Sequence, residues 1–244
     1  MHLAVLAALL LAAFITAGIS AILGMAGGLT LLAVMTTLIP AAQVVPLHGV
    51  VQLSSNCTRT WAFRKNVRWR IVLVYAPASA VGMFLATLVW SGDKLDWFRP
   101  AIGVFVLVFL IWRRYAPSLR TPPLWVYPVL AFAVGFVAIF IGATGPLLAP
   151  FFLRDDFSKE NVIATKAACQ FWLHLTKVPA FLVLGFDYVE HLPLLAALIV
   201  AVIIGTYSGK RLLARASHRW FLIAFQTVLA ALALYLIISG VASW

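Results

Sequence analysis

The sequence predicts an all-α, polytopic membrane helix bundle of two inverted-topology repeats, with broken or re-entrant helices near the midplane. Three observations point there: a composition that cannot cover a soluble globule, apolar runs of bilayer length, and a self-match at one fixed offset. Of 244 residues, 64% are hydrophobic and 10% charged, too few charges to give a domain of this size a solvated exterior. The alternation that marks a membrane β-barrel is absent, which leaves helices to satisfy the backbone inside lipid.

A span needs about 20 predominantly apolar residues. Runs that approach or meet this are Leu3 to Leu23, Ile71 to Trp90, Ala101 to Trp112, Trp125 to Ile141, Leu192 to Gly209 and Trp220 to Ser239, with Leu29 to Ile39 and Val44 to Phe63 between them. Only Met1-His2 precedes the first run, without the basic stretch of a signal peptide, so the run is read as a retained helix. Leu29 to Ile39 covers only about half the hydrocarbon thickness at about 1.5 Å per residue. It is therefore read as a short arm that either crosses or turns back. Cys57 and Cys169 lie inside apolar runs and are read as small core residues, with no disulfide.

Shifting the chain by 118 residues lays Gly24-Met-Ala-Gly27-Gly28 on Gly142-Ala-Thr144-Gly145-Pro146 and Gln52 on Gln170. After a small insertion, Gly82 matches Gly205 and Trp97-Phe98 matches Trp220-Phe221. The expected organisation is a first transmembrane repeat over 1–118, a linker over 119–123 and a second repeat over 124–244. Lys and Arg gather in short cytoplasmic loops, and this sets the relative orientation. With inverted copies, Arg64, Lys65, Arg68, Arg70, Arg113, Arg114, Arg120, Arg154, Lys159, Lys210, Arg211, Arg215 and Arg219 share one side, against Lys94 and Arg99 on the other. Parallel copies would put the basic loop Arg64 to Arg70 on the same face as the acidic loop Asp187 to Glu190. The net charge of +11 is thus accounted for by membrane orientation, and no nucleic acid is expected.

After each glycine-rich break and short arm comes a polar stripe: His48, Gln52, Asn56 and Arg59 in one half, Lys166, Gln170, His174 and Lys177 in the other. Steps of four, four and three keep each set on one helical face. Ionisable groups at membrane depth mark a pathway or cavity. All seven acidic residues, Asp93, Asp96, Asp155, Asp156, Glu160, Asp187 and Glu190, fall in loops or segment ends, so the stripes form a positive site that an anion would neutralise. The glycine turns at Gly24, Gly27, Gly28 and at Gly142, Thr144, Gly145 would add N–H groups at interrupted helix ends. The competing structural readings are snorkelling for Arg59, Lys177 and Lys166, interhelical hydrogen bonding for the two Gln, and packing for the His and Gly residues.

Gly18-Ile-Ser-Ala-Ile-Leu-Gly24-Met-Ala-Gly27-Gly28, its echo Gly135-Phe-Val-Ala-Ile-Phe-Ile-Gly142-Ala-Thr-Gly145, and Ser158-Lys-Glu-Asn-Val-Ile-Ala164-Thr165-Lys166 with Ser158 as N-cap resemble the sulfite exporter TauE/SafE family of membrane transporters. The resemblance implies transport of sulfite, sulfonates or sulfoacetate across a bacterial inner membrane. The first half departs from the family pattern at Val45-Pro46-Leu47-His48, and Pro146 stands where a glycine is usual.

The leading expectation is a multi-pass secondary transporter whose partners are a small anionic substrate, the lipid bilayer and a coupling ion, with His48 and His174 as candidates for proton linkage. An anion channel with the same lining is the alternative. An intramembrane enzyme is disfavoured because Ser54 and Ser55 lie six and seven residues from His48 and no buried acid orients the imidazole; a non-transporting scaffold is disfavoured to the same degree, with binding of any small anion as the test that separates it. No cofactor is expected, and no metal, since His48 and His174 lack carboxylate or thiolate companions at ligand spacing.

Overall fold

The computed structural model describes residues 3–90, 121–215 and 217–241, together with 100, 103, 104, 106–108, 110 and 111. The sequence features at Asp93, Lys94, Asp96, Trp97-Phe98, Arg99, Arg113, Arg114 and Arg120, and most of the run Ala101 to Trp112, lie outside the described residues. Every described regular element is helical: α1 (Leu3–Leu23), α2 (Gly27–Leu38), α3 (Ala41–Ala62), α4 (Trp69–Leu88), α5 (Val126–Ile141), α6 (Gly145–Phe152), α7 (Lys159–Val183), α8 (Leu192–Leu213) and α9 (His218–Val241), with 3-10 turns at Arg64–Asn66 and Val189–His191.

Four of the described helices, α1, α4, α8 with the turn before it, and α9, are long and apolar enough to cross a membrane. The helices α3 and α7 are as long but carry the polar stripes. At about 1.5 Å per residue, α2 and α6 reach roughly 18 Å and 12 Å, less than a hydrocarbon core of about 30 Å.

The series α1–α2–α3–α4 is matched in order by α5–α6–α7–α8, and each series is broken at the same place. Gly24 (φ 72°) follows α1 and Gly142 (φ 77°) follows α5. This left-handed backbone suits glycine because a Cβ would crowd the next carbonyl. Packing between the two series is reciprocal: α1 lies along α8, α4 along α5, α3 against both α7 and α8, and α4 against α7. With α1 to α4 set against α5 to α8 in order, each of these contacts recurs when the two series are exchanged.

Lipid tails are as apolar as leucine, so helices here associate by close packing and polar contacts rather than by apolar burial alone. Close approach is built at Gly82 and Gly205, the pair matched in sequence. A Cβ at Gly82 would run into the Phe132 carbonyl of α5, and one at Gly205 into the Phe14 carbonyl of α1.

Contacts at both ends fix the direction of α3 relative to α7. Near one end His48 faces His174, with ring centroids 6.3 Å apart. Near the other, the Arg68 N–H just beyond α3 donates to Thr165 Oγ1 at 3.0 Å and Asn161 Nδ2 donates to the Asn66 carbonyl at 2.8 Å. The two helices therefore run antiparallel. The same end holds Lys210, whose Nζ donates to the Ala62 carbonyl at 2.6 Å, and Lys159, whose Nζ donates to the Leu213 carbonyl at 2.9 Å, so basic segments from both series meet on one face. Cys169 is buried as expected, whereas Cys57 is exposed. One position beyond Asn56, it is carried by the helical turn about 100° away from the stripe onto the outer face of α3.

Candidate functional site

Both stripes are buried, and on a helix of period 3.6 their spacing turns all eight side chains inward. His48, Gln52, Asn56 and Arg59 of α3, and Lys166, Gln170, His174 and Lys177 of α7, are each at most 8% exposed. Snorkelling is thereby excluded for the three cations: Arg59 is 2%, Lys166 1% and Lys177 0% exposed.

Helix α7 is started where the sequence indicates. Ser158 Oγ accepts from the Asn161 N–H at 3.2 Å and Asn161 Oδ1 accepts from the Ser158 N–H at 3.1 Å, a reciprocal capping box with Asn in the third position. That start sets the register which brings Lys166 level with the first glycine turn. Its Nζ donates to the Gly24 carbonyl at 3.0 Å and to Gln170 Oε1 at 3.2 Å. On α3, His48 Nε2 lies 2.8 Å from the Gly28 carbonyl. A carbonyl only accepts, so the proton sits on Nε2. Asn56 Nδ2 donates to the Gln52 carbonyl at 2.8 Å, and Arg59 Nη2 donates to Asn56 Oδ1 at 2.5 Å.

These groups surround a cavity of about 20 Å³, room for one or two waters. Of the expected site residues, Gly24, Gly28, His48, Gln52, Arg59, Thr144, Gly145, Lys166, Gln170 and His174 line it, and no Asp or Glu does. Among them two cations, Arg59 and Lys166, and five neutral polar side chains, His48, Gln52, Thr144, Gln170 and His174, thus face one space without a carboxylate. Helices α2 and α6 both begin at this cavity. The first backbone bonds back into them are Thr30 N–H to Ala26 and Leu148 N–H to Thr144, so the N–H groups ahead of these two have no intrahelical partner and add partial positive charge. Pro146 stands at the start of α6, where its missing N–H breaks no helical bond.

The other four expected residues do not line the cavity. Lys177 Nζ donates to the carbonyls of Ala138 and Gly142, both at 2.8 Å, so it closes the end of α5. Asn56 sits behind, holding Arg59. Gly142 provides the turn, and Gly27 packs where a Cβ would strike the Thr16 carbonyl. At Gly28 a Cβ would come 3.3 Å from Gln52 Oε1, so the bare backbone leaves the amide its place. Sequence reasoning did not single out Ser20, which is buried and lines the cavity; its place one helical turn before Gly24 was the available signal. Among the described residues, no group of three or more His, Cys, Asp or Glu is placed to hold a metal.

A family model described as sulfite exporter TauE/SafE matches residues 9–236, nearly the whole chain. The chain belongs to the sulfite exporter TauE/SafE family. No curated protein and no solved structure matches it. Family membership and the apolar helices together make this a multi-pass integral membrane protein of a transporter family, with small sulfur anions such as sulfite as the substrates the family implies. At family level it is a transporter and not an enzyme.

Proposed function

We propose that this TauE/SafE chain is a secondary transporter of small sulfur-containing or organic anions of the sulfite, sulfonate and sulfoacetate class, working by alternating access in a bacterial inner membrane. The carrying observation is the cavity between the glycine turns, where Arg59 and Lys166 are buried with no carboxylate in the lining. An uncompensated buried cation is costly, and a bound anion offsets much of that cost. The amides of Gln52 and Gln170 and the imidazole of His174 would orient the guest.

The repeats over 1–118 and 124–244 are read as inverted copies, supported by the antiparallel run of α3 and α7, the reciprocal packing and the gathering of basic segments at one end. Helices α2 and α6 are read as re-entrant arms meeting the site from opposite sides. His48 and His174, edge to face, are the groups proposed to couple transport to protons. A carrier is favoured over a channel because the cavity has room for one or two waters and the basic end is bridged by direct hydrogen bonds between the series.

The test is uptake of radiolabelled sulfite and sulfonates into proteoliposomes. Lys166→Ala and Gln170→Ala should abolish it, and unchanged transport by both variants would refute the site. Electrical recording in the same membranes should show turnover at conformational rates; a conductance far above that range means a pore.

A further inference from the structure

The basic end carries a second pocket, separate from the cavity between the stripes. It has a volume of about 400 Å³ and lies between the end of α3 with its following turn (Phe63, Arg64, Lys65, Asn66) and the end of α8 (Lys210, Leu213). We propose that this pocket binds the phosphodiester headgroup of an anionic phospholipid and that the bound lipid bridges the two series of helices.

Depth in the bilayer is the first ground. Trp61 and Trp69, on either side of the turn, are 63% and 50% exposed, and exposed tryptophans mark the headgroup level of a membrane protein. Charge is the second. Arg64, Lys65 and Lys210 line the pocket against one acid, Glu160, whose carboxylate lies 3.7 Å from Lys159 Nζ and is thereby offset. Shape is the third: the pocket is amphipathic, with buried Phe63 and Leu213 in its wall beside the cations. A free oxoanion has no use for that wall, whereas a lipid presents a charged phosphodiester joined to apolar chain. Basic pockets between helices at the cytoplasmic side take such headgroups.

The cations are also poised differently. Lys210 is fixed, donating to the Ala62 carbonyl with its Nζ 5.2 Å from the centre of the Phe63 ring. Arg64 and Lys65 are exposed; Arg64 lies over the Trp61 ring at 4.7 Å and makes one long bond of 3.3 Å to the Trp61 carbonyl. They can turn to a phosphate without breaking the fold. An occupant would touch residues from both series and hold them together at this face, whichever anion the central cavity carries.

The test uses full-length protein in a neutral detergent, titrated with phosphatidylglycerol, cardiolipin, phosphatidylcholine and inorganic phosphate, and read by native mass spectrometry and thermal shift. Phosphatidylglycerol and cardiolipin should bind and raise the melting temperature, with phosphatidylcholine and phosphate at least about tenfold weaker. Arg64→Gln with Lys65→Gln, both exposed, should weaken the anionic lipids about tenfold or more while the lipid-free melting temperature stays put. Arg70→Gln, exposed in the first turn of α4 but outside the pocket, should leave binding unchanged. Equal binding of phosphatidylcholine, an equal response to phosphate, or equal losses in the Arg70 and the Arg64–Lys65 variants would overturn the proposal. Because anion uptake is not the readout, failure here leaves the transport reading standing, and the converse holds.

Discussion

Replacing Lys166 by Met separates the two roles of its ammonium, because stability and anion binding should move in different directions. In the anion-free protein, Lys166 Nζ is buried with a carbonyl at 3.0 Å and an amide oxygen at 3.2 Å as partners, neither of which carries a compensating charge. Met has similar length and no charge. It removes a desolvation cost of several kcal/mol and leaves the Gly24 carbonyl unpaired, which costs about 1–3 kcal/mol. The anion-free variant should therefore melt no lower than the parent. With anion bound the balance reverses. A unit charge pair about 4 Å apart is worth about 4 kcal/mol at an effective dielectric near 20, and a charge-assisted hydrogen bond about 1.5–3 kcal/mol net. Taking about 2.7 kcal/mol, affinity falls about 100-fold. At an anion concentration about 100 times the parent dissociation constant, binding stabilises the parent by about 2.7 kcal/mol and the variant by about 0.4 kcal/mol. Thermal unfolding in detergent with and without sulfite or a sulfonate measures both. A variant that keeps the full anion-induced shift would refute the reasoning, since Lys166 would then not face the guest.

Lys177→Met should differ: the same desolvation cost is removed, but two carbonyls, those of Ala138 and Gly142, are left unpaired at about 1–3 kcal/mol each and the turn after α5 loosens, so its melting temperature should lie below that of Lys166→Met while anion affinity, read by the same shift, falls less than about tenfold. Two adjacent glycines should separate likewise. Gly27→Ala drives a methyl into the Thr16 carbonyl and should prevent recovery of folded protein on size-exclusion chromatography, whereas Gly28→Ala displaces Gln52 by a few tenths of an ångström and should give folded protein with weaker anion binding. Ser158→Ala removes the acceptor that starts α7 and should cost about 1 kcal/mol in thermal unfolding. Outside the membrane, Arg154 hydrogen-bonds both oxygens of Asp156 at 2.8 and 3.0 Å and holds its carboxyl below the ordinary 3.8. A depressed acid stabilises the fold above its ordinary value and loses that contribution as pH falls through the folded one. Asp156→Asn should therefore flatten the loss of melting temperature in the acid range below about pH 4.

The stripes were legible because their chemistry is out of place. A Gln, His or Lys on an apolar helix stands out, and steps of four, four and three fix which face it occupies. The glycine turns were legible for the same reason, through the offset of 118 that ties Gly24 to Gly142. What the lysines bond to was not legible. The carbonyl that receives Lys166 lies 142 residues away in the chain, and a backbone carbonyl has no residue identity for a pattern to reveal. The division between Lys166, which lines the cavity, and Lys177, which closes a helix end, was hidden for that reason. Cys57 misled because an apolar neighbourhood marks a residue as lipid-compatible without saying whether it faces protein or lipid. Ser20 carries no such mark, because a lone serine in a helix more often returns its hydroxyl to the preceding turn.

The two helices that hold the polar stripes are those a translocon would be slowest to release into lipid. Helix α7 carries three lysines, two of which, Lys166 and Lys177, lie inside it, where each costs about 2.5–3.5 kcal/mol at the centre of an isolated span on insertion scales, and neither α3 nor α7 is among the four described helices apolar enough to cross alone. Biogenesis therefore has an order: α7 can leave the channel only alongside segments already in the bilayer, with α3 and α4, its packing neighbours, as receivers. Substitutions that make the stripes greasier should speed membrane integration while silencing the protein, so selection for efficient insertion and selection for activity pull on the same side chains in opposite directions.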